Sequence, residues 1–511
     1  MIDLRRENRL DVLRQVAQLQ QNEIIRLRQE LGTRLTELSR LKGDPTLVQH
    51  ELLRLEERLA RQERALFGRS SEATPSSAVT SIAHQDTPPK QPGHGPREQR
   101  ELEQVVVEHK LDAADTICPS CGGELKEWVG QTEDAEEIDV VERRFVVVKH
   151  QRQKYRCSCG GCVETALGPT KLIPGGRYSV GFAVEVATAK YCDHLPLERQ
   201  VRIMRREGLQ VESQTLWDQI EALARLLHDV PDRIRRHLIT KSVVGMDETP
   251  WPLLEKGNKT WQVWSLTGED GVYHRIKDSR GHDVAVEILG DFTGCVMSDG
   301  YSAYGTAAAK ANGRWTQAFC WAHVRRKFFE AQSGNPREAN AIVHLINALF
   351  AIDQRAATGP PREHAERRAR MRAEEAVPIL AALACWEQHI RATVLPDSGL
   401  GGAGKYMREL WDGLVRFLAD TAIPLSNNAT ERSLRGVTLG RKNHYGSKSK
   451  RGTQVAALFY TIVESAKLCG IDPKAYLKAA ALAAINGKTV LLPHEMAHQL
   501  ASAKADGSFP G

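Results

Sequence analysis

The stretch from Lys241 to Cys320 constrains the fold most, because its apolar runs come in one definite order. Ser242-Val-Val-Gly-Met-Asp247 is a short apolar run ending in an acid. Lys259–Thr267 alternates, which predicts a strand with Trp261, Val263 and Ser265 on one face. Gly271–Lys277 follows the hairpin signal Glu269-Asp270-Gly271. His282–Leu289 reads as a helix, and Gly294-Cys-Val-Met-Ser-Asp299 as a second apolar strand ending in an acid. Ser302–Ala311 then reads as a helix and Thr316–Cys320 as a last short strand.

Three strands, helix, strand, helix, strand resembles the order of the ribonuclease-H-like fold. In that fold the first and fourth strands are neighbours, so the resemblance puts Asp247 and Asp299 in one crevice. A third acid is expected from a late helix, and Glu431 supplies it, within two turns of a cap at Ser426 or Asn427. The interval from Cys320 to Pro424 is then a long, largely helical insertion, rich in Arg and Ala over Arg362–Ala376. An acid at a strand end is most often a solvated loop residue. Three acids converging are what phosphodiester chemistry needs, since two Mg²⁺ ions about 3.5–4 Å apart neutralise entering and leaving oxygens. Such hard cations take carboxylate and water ligands.

Ten cysteines in a chain without an apolar secretory leader argue against disulfides. Cys118-Pro-Ser-Cys121-Gly-Gly is a metal knuckle, and Cys157-Ser-Cys159-Gly-Gly-Cys162 offers three thiols for two further places. With a β-branched strand predicted over Val140–His150, residues 101–167 read as a zinc ribbon, four of these five thiolates closing a structural Zn²⁺ site. Reduced free thiols are the alternative.

Residues 1–67 carry a heptad-like seam, Leu10, Leu13, Ala17, Ile24, Leu27, Leu31, Leu38 and Leu41, interrupted at Gly43-Asp44-Pro45. They read as a dimerising coiled coil or as a helical hairpin packed on the same chain. Residues 68–100, rich in Ser, Pro, Gly and Gln, read as a flexible linker. Within 168–240, a helix over Leu195–Glu207, the break at Gly208 and a Ser213-capped helix form either a helix-turn-helix or an ordinary packing pair. Residues 241–455 make up the catalytic unit, with its insertion at about 324–424, and 456–511 a helical tail. No apolar stretch is long enough to span a membrane, which with the missing leader leads us to expect a cytoplasmic protein.

A net charge of +6 is too mild to prove a nucleic-acid partner, so its distribution matters more. Residues 432–451 hold Arg432, Arg435, Arg441, Lys442, Lys448, Lys450 and Arg451 and no acid. A charge run is usually a solvated face; directly after a metal-binding glutamate it reads as a phosphate-tracking one. Cys320-x-x-His323 lacks a visible partner pair and reads as packing rather than a metal site. Trp321, Arg325, Arg326 and Lys327 are candidate DNA contacts.

Leu66-Phe-Gly-Arg-Ser-Ser-Glu72, His194-Leu-Pro-Leu-Glu-Arg-Gln200, Met246-Asp-Glu-Thr-Pro-Trp251, Ser298-Asp-Gly-Tyr-Ser-Ala-Tyr304, Cys320-Trp-Ala-His-Val-Arg-Arg-Lys-Phe328, Asn427-Asn-Ala-Thr-Glu-Arg432 and Ser465–Pro473 occur in this order. Together with the cysteine segment, this series resembles the transposases of the insertion sequence 66 family over nearly the whole chain. The resemblance implies a DDE-type enzyme with Asp247, Asp299 and Glu431 as its triad and two Mg²⁺ or Mn²⁺ ions. It implies cleavage at the terminal inverted repeats of a bacterial mobile element, then attack of the freed 3′-hydroxyl on target DNA. Paired protomers and accessory proteins of the same element are the implied partners. The second cysteine cluster departs from a plain C-x-x-C, which leaves the fourth zinc ligand open. A nuclease that cuts without joining and a DNA-binding regulator with an inert core are the rival readings.

Overall fold

The computed structural model describes residues 144–156, 162–255, 260–358 and 360–505. The expected coiled coil, the linker, and Cys118, Cys121, Cys157 and Cys159 lie outside the described residues. β1 (Lys154–Arg156) pairs antiparallel with β2 (Val163–Thr165), Arg156 opposite Val163. Residues 144–150 belong to no strand, and Val146, Val147 and Val148 are exposed. The predicted strand over Val140–His150 is corrected over that part: β-branched composition makes a strand only where a neighbour completes its ladder.

Four helices follow: α1 (Val180–Tyr191), α2 (Leu197–Arg206), α3 (Ser213–Leu226) and α4 (Val230–Leu238). The Ser179 hydroxyl caps α1 by accepting from Phe182 N at 3.1 Å. Gly208, with φ of +87°, allows the left-handed turn between α2 and α3. Ser213 is the first residue of α3 rather than its cap, which is Glu212. α3 buries Leu216, Ile220 and Leu223, while α2 exposes Arg199, Arg202, Arg205 and Arg206. The basic surface of this pair is thus on its first helix.

The main sheet contains β3 (Val243–Pro252), β4 (Thr260–Thr267), β5 (Val272–Lys277), β6 (Cys295–Ser298) and β7 (Thr316–Phe319), with α5 (His282–Leu289) and α6 (Ser302–Lys310) between the later strands. Its order is β5-β4-β3-β6-β7. β3, β4 and β5 are antiparallel neighbours, whereas β6 runs parallel to both β3 and β7. The first and fourth strands of this unit are therefore adjacent, as the resemblance to the ribonuclease-H-like fold implied. The alternation read in Lys259–Thr267 does not produce one wet face: both Val263 and Trp264 are fully buried, because helices cover both sides.

After β7 the chain enters the insertion: α7 (Trp321–Ala331), α8 (Pro336–Ala356), α9 (His364–Met371), α10 (Val377–Thr393), α11 (Gly399–Glu409) and the short α12 (Trp411–Leu414). These helices share a core with Cys295, Met297 and Ala318 of the sheet. Buried Arg372, in a π-helical turn between α9 and α10, ties the insertion to the segment that leaves it. It forms a two-pronged pair with Asp353 (2.8 and 2.7 Å) and donates to the carbonyls of Phe417 (2.7 Å), Asp420 (3.1 Å) and Ile423 (3.0 Å). Every guanidinium N–H is satisfied, the condition under which a buried charge is tolerated.

The chain then returns to the sheet through α13 (Asn428–His444), α14 (Lys450–Leu468), α15 (Pro473–Ile485) and α16 (Pro493–Ala505). α14 seals the edge strand β5: Ser465 Oγ accepts from Val272 N and Thr461 Oγ1 from His274 N, both at 2.9 Å. Side-chain hydroxyls thus take ladder donors that another chain would otherwise pair with. One core runs from α1–α4 through β3–β5 to α14 and α15, and the boundary drawn at residue 455 falls inside α14. No single described helix is long and apolar enough to cross a membrane.

Candidate functional site

The β3–β6 register pairs Gly245 with Met297, two residues before Asp247 and Asp299 respectively. The two aspartates, distant in sequence, therefore come together where β6 ends. Beyond Gly245, β3 pairs with β4 alone, and α13 arrives over this part of the sheet. Asn427 Nδ2 donates to the Met246 carbonyl at 3.1 Å, and Ser433 Oγ meets Ser265 Oγ at 3.0 Å. A Cβ on Gly245 would overlap the Thr430 hydroxyl, so glycine is what lets strand and helix approach this closely. Glu431, in the first turn of α13, is carried to the aspartates by that contact.

The three acids are electrostatically coupled. Burial pushes the Asp247 carboxyl up to about 7; the Glu248 backbone N–H opposes this, while Asp299, Glu248 and Glu431 add to it. Asp299 Oδ1 accepts from Tyr301 N at 2.9 Å, and its carbonyl accepts from the Tyr406 hydroxyl at 2.5 Å. Glu248, which sequence reasoning passed over, adds to this push on Asp247 while its own carboxylate is engaged by other partners. Arg280 donates to it through Nε (3.0 Å) and Nη2 (2.7 Å), and the Tyr304 hydroxyl at 2.6 Å. Its position directly after Asp247 was the available signal; nothing in the sequence marked Tyr406.

Cys320 and His323 gain the partner that sequence alone did not offer. Their ligand atoms and a Glu431 carboxylate oxygen lie within 4.8 Å of one another, His323 Nδ1 standing 3.9 Å from Glu431. Cys320 is buried, which pushes its thiol up to about 11, and its sulfur accepts from Asn427 N at 3.2 Å. Packing is thus the sulfur's visible role, and His323 borders the acid cluster. Asp270, His237 and His494 form a second potential ligand group, but Lys241 already donates to Asp270 at 2.8 Å.

The basic candidates divide into two sets. Arg432, Arg435 and Lys442 are exposed along α13, and Lys448 and Lys450 are exposed beyond it. Arg441 instead turns inward and donates to Thr249 Oγ1 (3.1 Å) and the Pro250 carbonyl, fixing the end of β3. Arg451 donates to Glu221 (3.2 Å), Arg325 to Asn347 (2.6 Å), and Arg326 pairs with Glu330 at 3.4 Å. Cys162 is exposed, and its thiol donates to Glu164 Oε1 at 3.6 Å.

The model of the transposase IS66 family matches residues 175–455, more than half of the chain. The chain belongs to the IS66 family of transposases. Residues 115–160 match the zinc-finger binding domain of transposase IS66, so this family member also carries the family's zinc finger. That segment takes in Cys118, Cys121, Cys157 and Cys159 and stops two residues before Cys162. The IS66 match spans all three acids and the helical insertion. Uncharacterized protein y4hP of Sinorhizobium fredii is 31% identical over 405 residues, covering 74% of this chain and 71% of that protein. Uncharacterized protein y4jD of the same organism is 30% identical over 406 residues, covering 76% and 77%.

Proposed function

We propose that this IS66 transposase is a DDE-type enzyme built on a ribonuclease-H-like core, with Asp247, Asp299 and Glu431 as its metal-binding acids. It cuts DNA at the terminal inverted repeats of its element and joins the freed 3′-hydroxyl to target DNA. The observation that carries this reading is the β3–β6 register, which brings two strand-end aspartates together while α13 delivers the glutamate.

The donor set fits a hard divalent cation: three carboxylates, of which Asp247 is pushed toward its protonated form by burial first and by its acidic neighbours second. Two Mg²⁺ or Mn²⁺ ions bound there would neutralise charge on the attacking and leaving oxygens and lower the pKa of the attacking water. Asp247, coupled to both other acids, would hold the ions together with Asp299 and Glu431. Arg280 and Tyr304 keep Glu248 from competing with it. Arg432, Arg435 and Lys442 line the exposed side of α13 as phosphate contacts, followed by Lys448 and Lys450. Structural Zn²⁺ held by the cysteine segment, pairing of protomers through residues 1–67 and accessory proteins of the element complete the proposal.

A Mg²⁺- or Mn²⁺-dependent cleavage-and-joining assay on DNA carrying the element's ends, with accessory proteins supplied, tests it. Wild type is expected to cut and join, while Asp247→Asn binds DNA but does neither. Equal activity in the variant removes Asp247 from the site. Breaks without joined product favour a nuclease, and end binding without cutting favours a regulator.

A further inference from the structure

A cavity of about 620 Å³ opens between α1, α2 and α3 on one side and the loop joining α13 to α14 on the other. That volume lies within the roughly 300–1,000 Å³ typical of small-ligand sites. Lys190, Arg199, Arg202 and Lys448 line it against one carboxylate, Glu198. Burial pushes the Lys190 ammonium down to about 8; Glu198 opposes this and Lys448 adds to it. Its remaining walls include the aromatic side chains of Tyr191, Trp217 and Tyr445.

Tyr445 is unusual in two ways. Its φ of +57° lies in the left-handed region, which bulky side chains rarely adopt, and its ring is 72% exposed. The turn thus holds an aromatic face at the mouth of a basic cavity instead of burying it. Phosphate contacts alone need no such ring, whereas a nucleobase stacks on one.

The cavity also lies at a useful distance from the acids. Glu431 and Asn443 are both on α13, and Asn443 lines the cavity. Twelve residues of helix span about 18 Å at 1.5 Å per residue. At about 3.4 Å per nucleotide, a duplex laid along α13 covers that span in roughly five base pairs. The exposed Arg432, Arg435 and Lys442 lie along the way.

We propose that this cavity receives an unpaired nucleotide of the bound DNA, roughly five positions from the scissile phosphate, its base on Tyr445 and its phosphates on Lys448, Arg199 and Arg202. The register of about five positions rests on the acid site proposed above; the preference for unpaired DNA does not. Extruding a base costs a few kcal/mol, least where the strand is already single, so strand ends are the natural occupants.

The test uses the full-length, zinc-loaded protein with no Mg²⁺ or Mn²⁺ added, and measures anisotropy of a 20-base-pair duplex with a five-nucleotide single-stranded tail against its blunt counterpart. Wild type is expected to bind the tailed DNA at least tenfold more tightly. Tyr445→Asn, which keeps a residue tolerant of the left-handed turn, is expected to lose most of that preference while holding the blunt duplex as before. Arg202→Gln, on the opposite wall and outside the 432–451 basic run, is expected to weaken tailed DNA several-fold more than blunt. Equal affinity of wild type for both DNAs, or an equal loss on both in the variants, overturns the proposal. Binding is read without added Mg²⁺ or Mn²⁺, so a failure of the cleavage reading leaves this result interpretable, and the reverse also holds.

Discussion

The sulfur of Cys320, which ends the last strand's segment, accepts the backbone N–H of Asn427, which begins the glutamate helix, at 3.2 Å. Asn427 in turn donates its side-chain amide to Met246, next to Asp247. Two hydrogen bonds thus connect the approaches to the first aspartate and the glutamate. Cys320→Ala is expected to leave a folded protein with unchanged DNA affinity and roughly tenfold lower cleavage, and Cys320→Ser to restore most of it. Were the sulfur a metal ligand instead, serine would be as damaging as alanine. Single-turnover cleavage at saturating DNA separates the two.

Gly245 sits under Thr430 with no room for a methyl group. Gly245→Ala must lift the start of α13 from β3, at a cost of about 1–3 kcal/mol. Urea unfolding should show that loss, and cleavage should fall further than stability alone explains, because Glu431 moves with the helix. A variant as active as wild type would mean that the acids tolerate a displaced helix.

Folding raises the Asp247 carboxyl to about 7, mainly through burial, so the native state favours the neutral acid. The associated stabilisation is present below the unfolded value near 3.9 and is lost as pH rises through 7. At pH 8 with no Mg²⁺ or Mn²⁺ added, Asp247→Asn should therefore melt about 2–4 °C above wild type, and the gap should narrow on acidification toward pH 5. Adding Mg²⁺ should raise the wild-type midpoint and leave the variant where it was. A variant less stable than wild type at pH 8 without added Mg²⁺ would contradict this.

Cys162 lies outside the matched zinc-finger segment, with its thiol turned to Glu164. Cys162→Ser is expected to retain one zinc per chain, whereas Cys121→Ser loses it and the fold of that segment with it. Zinc content by atomic absorption decides, and loss of metal in Cys162→Ser would make that thiol the fourth ligand.

The sheet was legible because its strands are short and bounded by turns: His282–Leu289 and the hairpin after Thr267 fall where periodicity puts them. β3 was read as ending at Asp247 but runs on to Pro252. The extension carries Pro250 and Pro252, because past Gly245 the strand has lost β6 and pairs on one side only, where a missing N–H can be tolerated. Glu431 was legible from its helix start, but the role of Asn427 was not, since an asparagine there reads as a cap and instead reaches across to a strand. Arg441 shows the same limit: a basic run in sequence says nothing of which member turns inward to Pro250. The cavity at Tyr445 joins residues from five helices and the loop between α13 and α14, and no local pattern announces it.

The helical insertion has a consequence for how the protein comes into being. It separates Asp299 from Glu431 by 132 positions, and the segment leading to α13 is fastened to it by Arg372. At about 5–20 residues per second of synthesis, the two aspartates emerge from the ribosome roughly 7–26 s before the glutamate. Until the insertion has folded and α13 has docked, the nascent chain carries only two of the three proposed acids. If those acids form the site, a chain cut short within that interval lacks its glutamate, and the transposase becomes competent only as one of the last acts of its own folding.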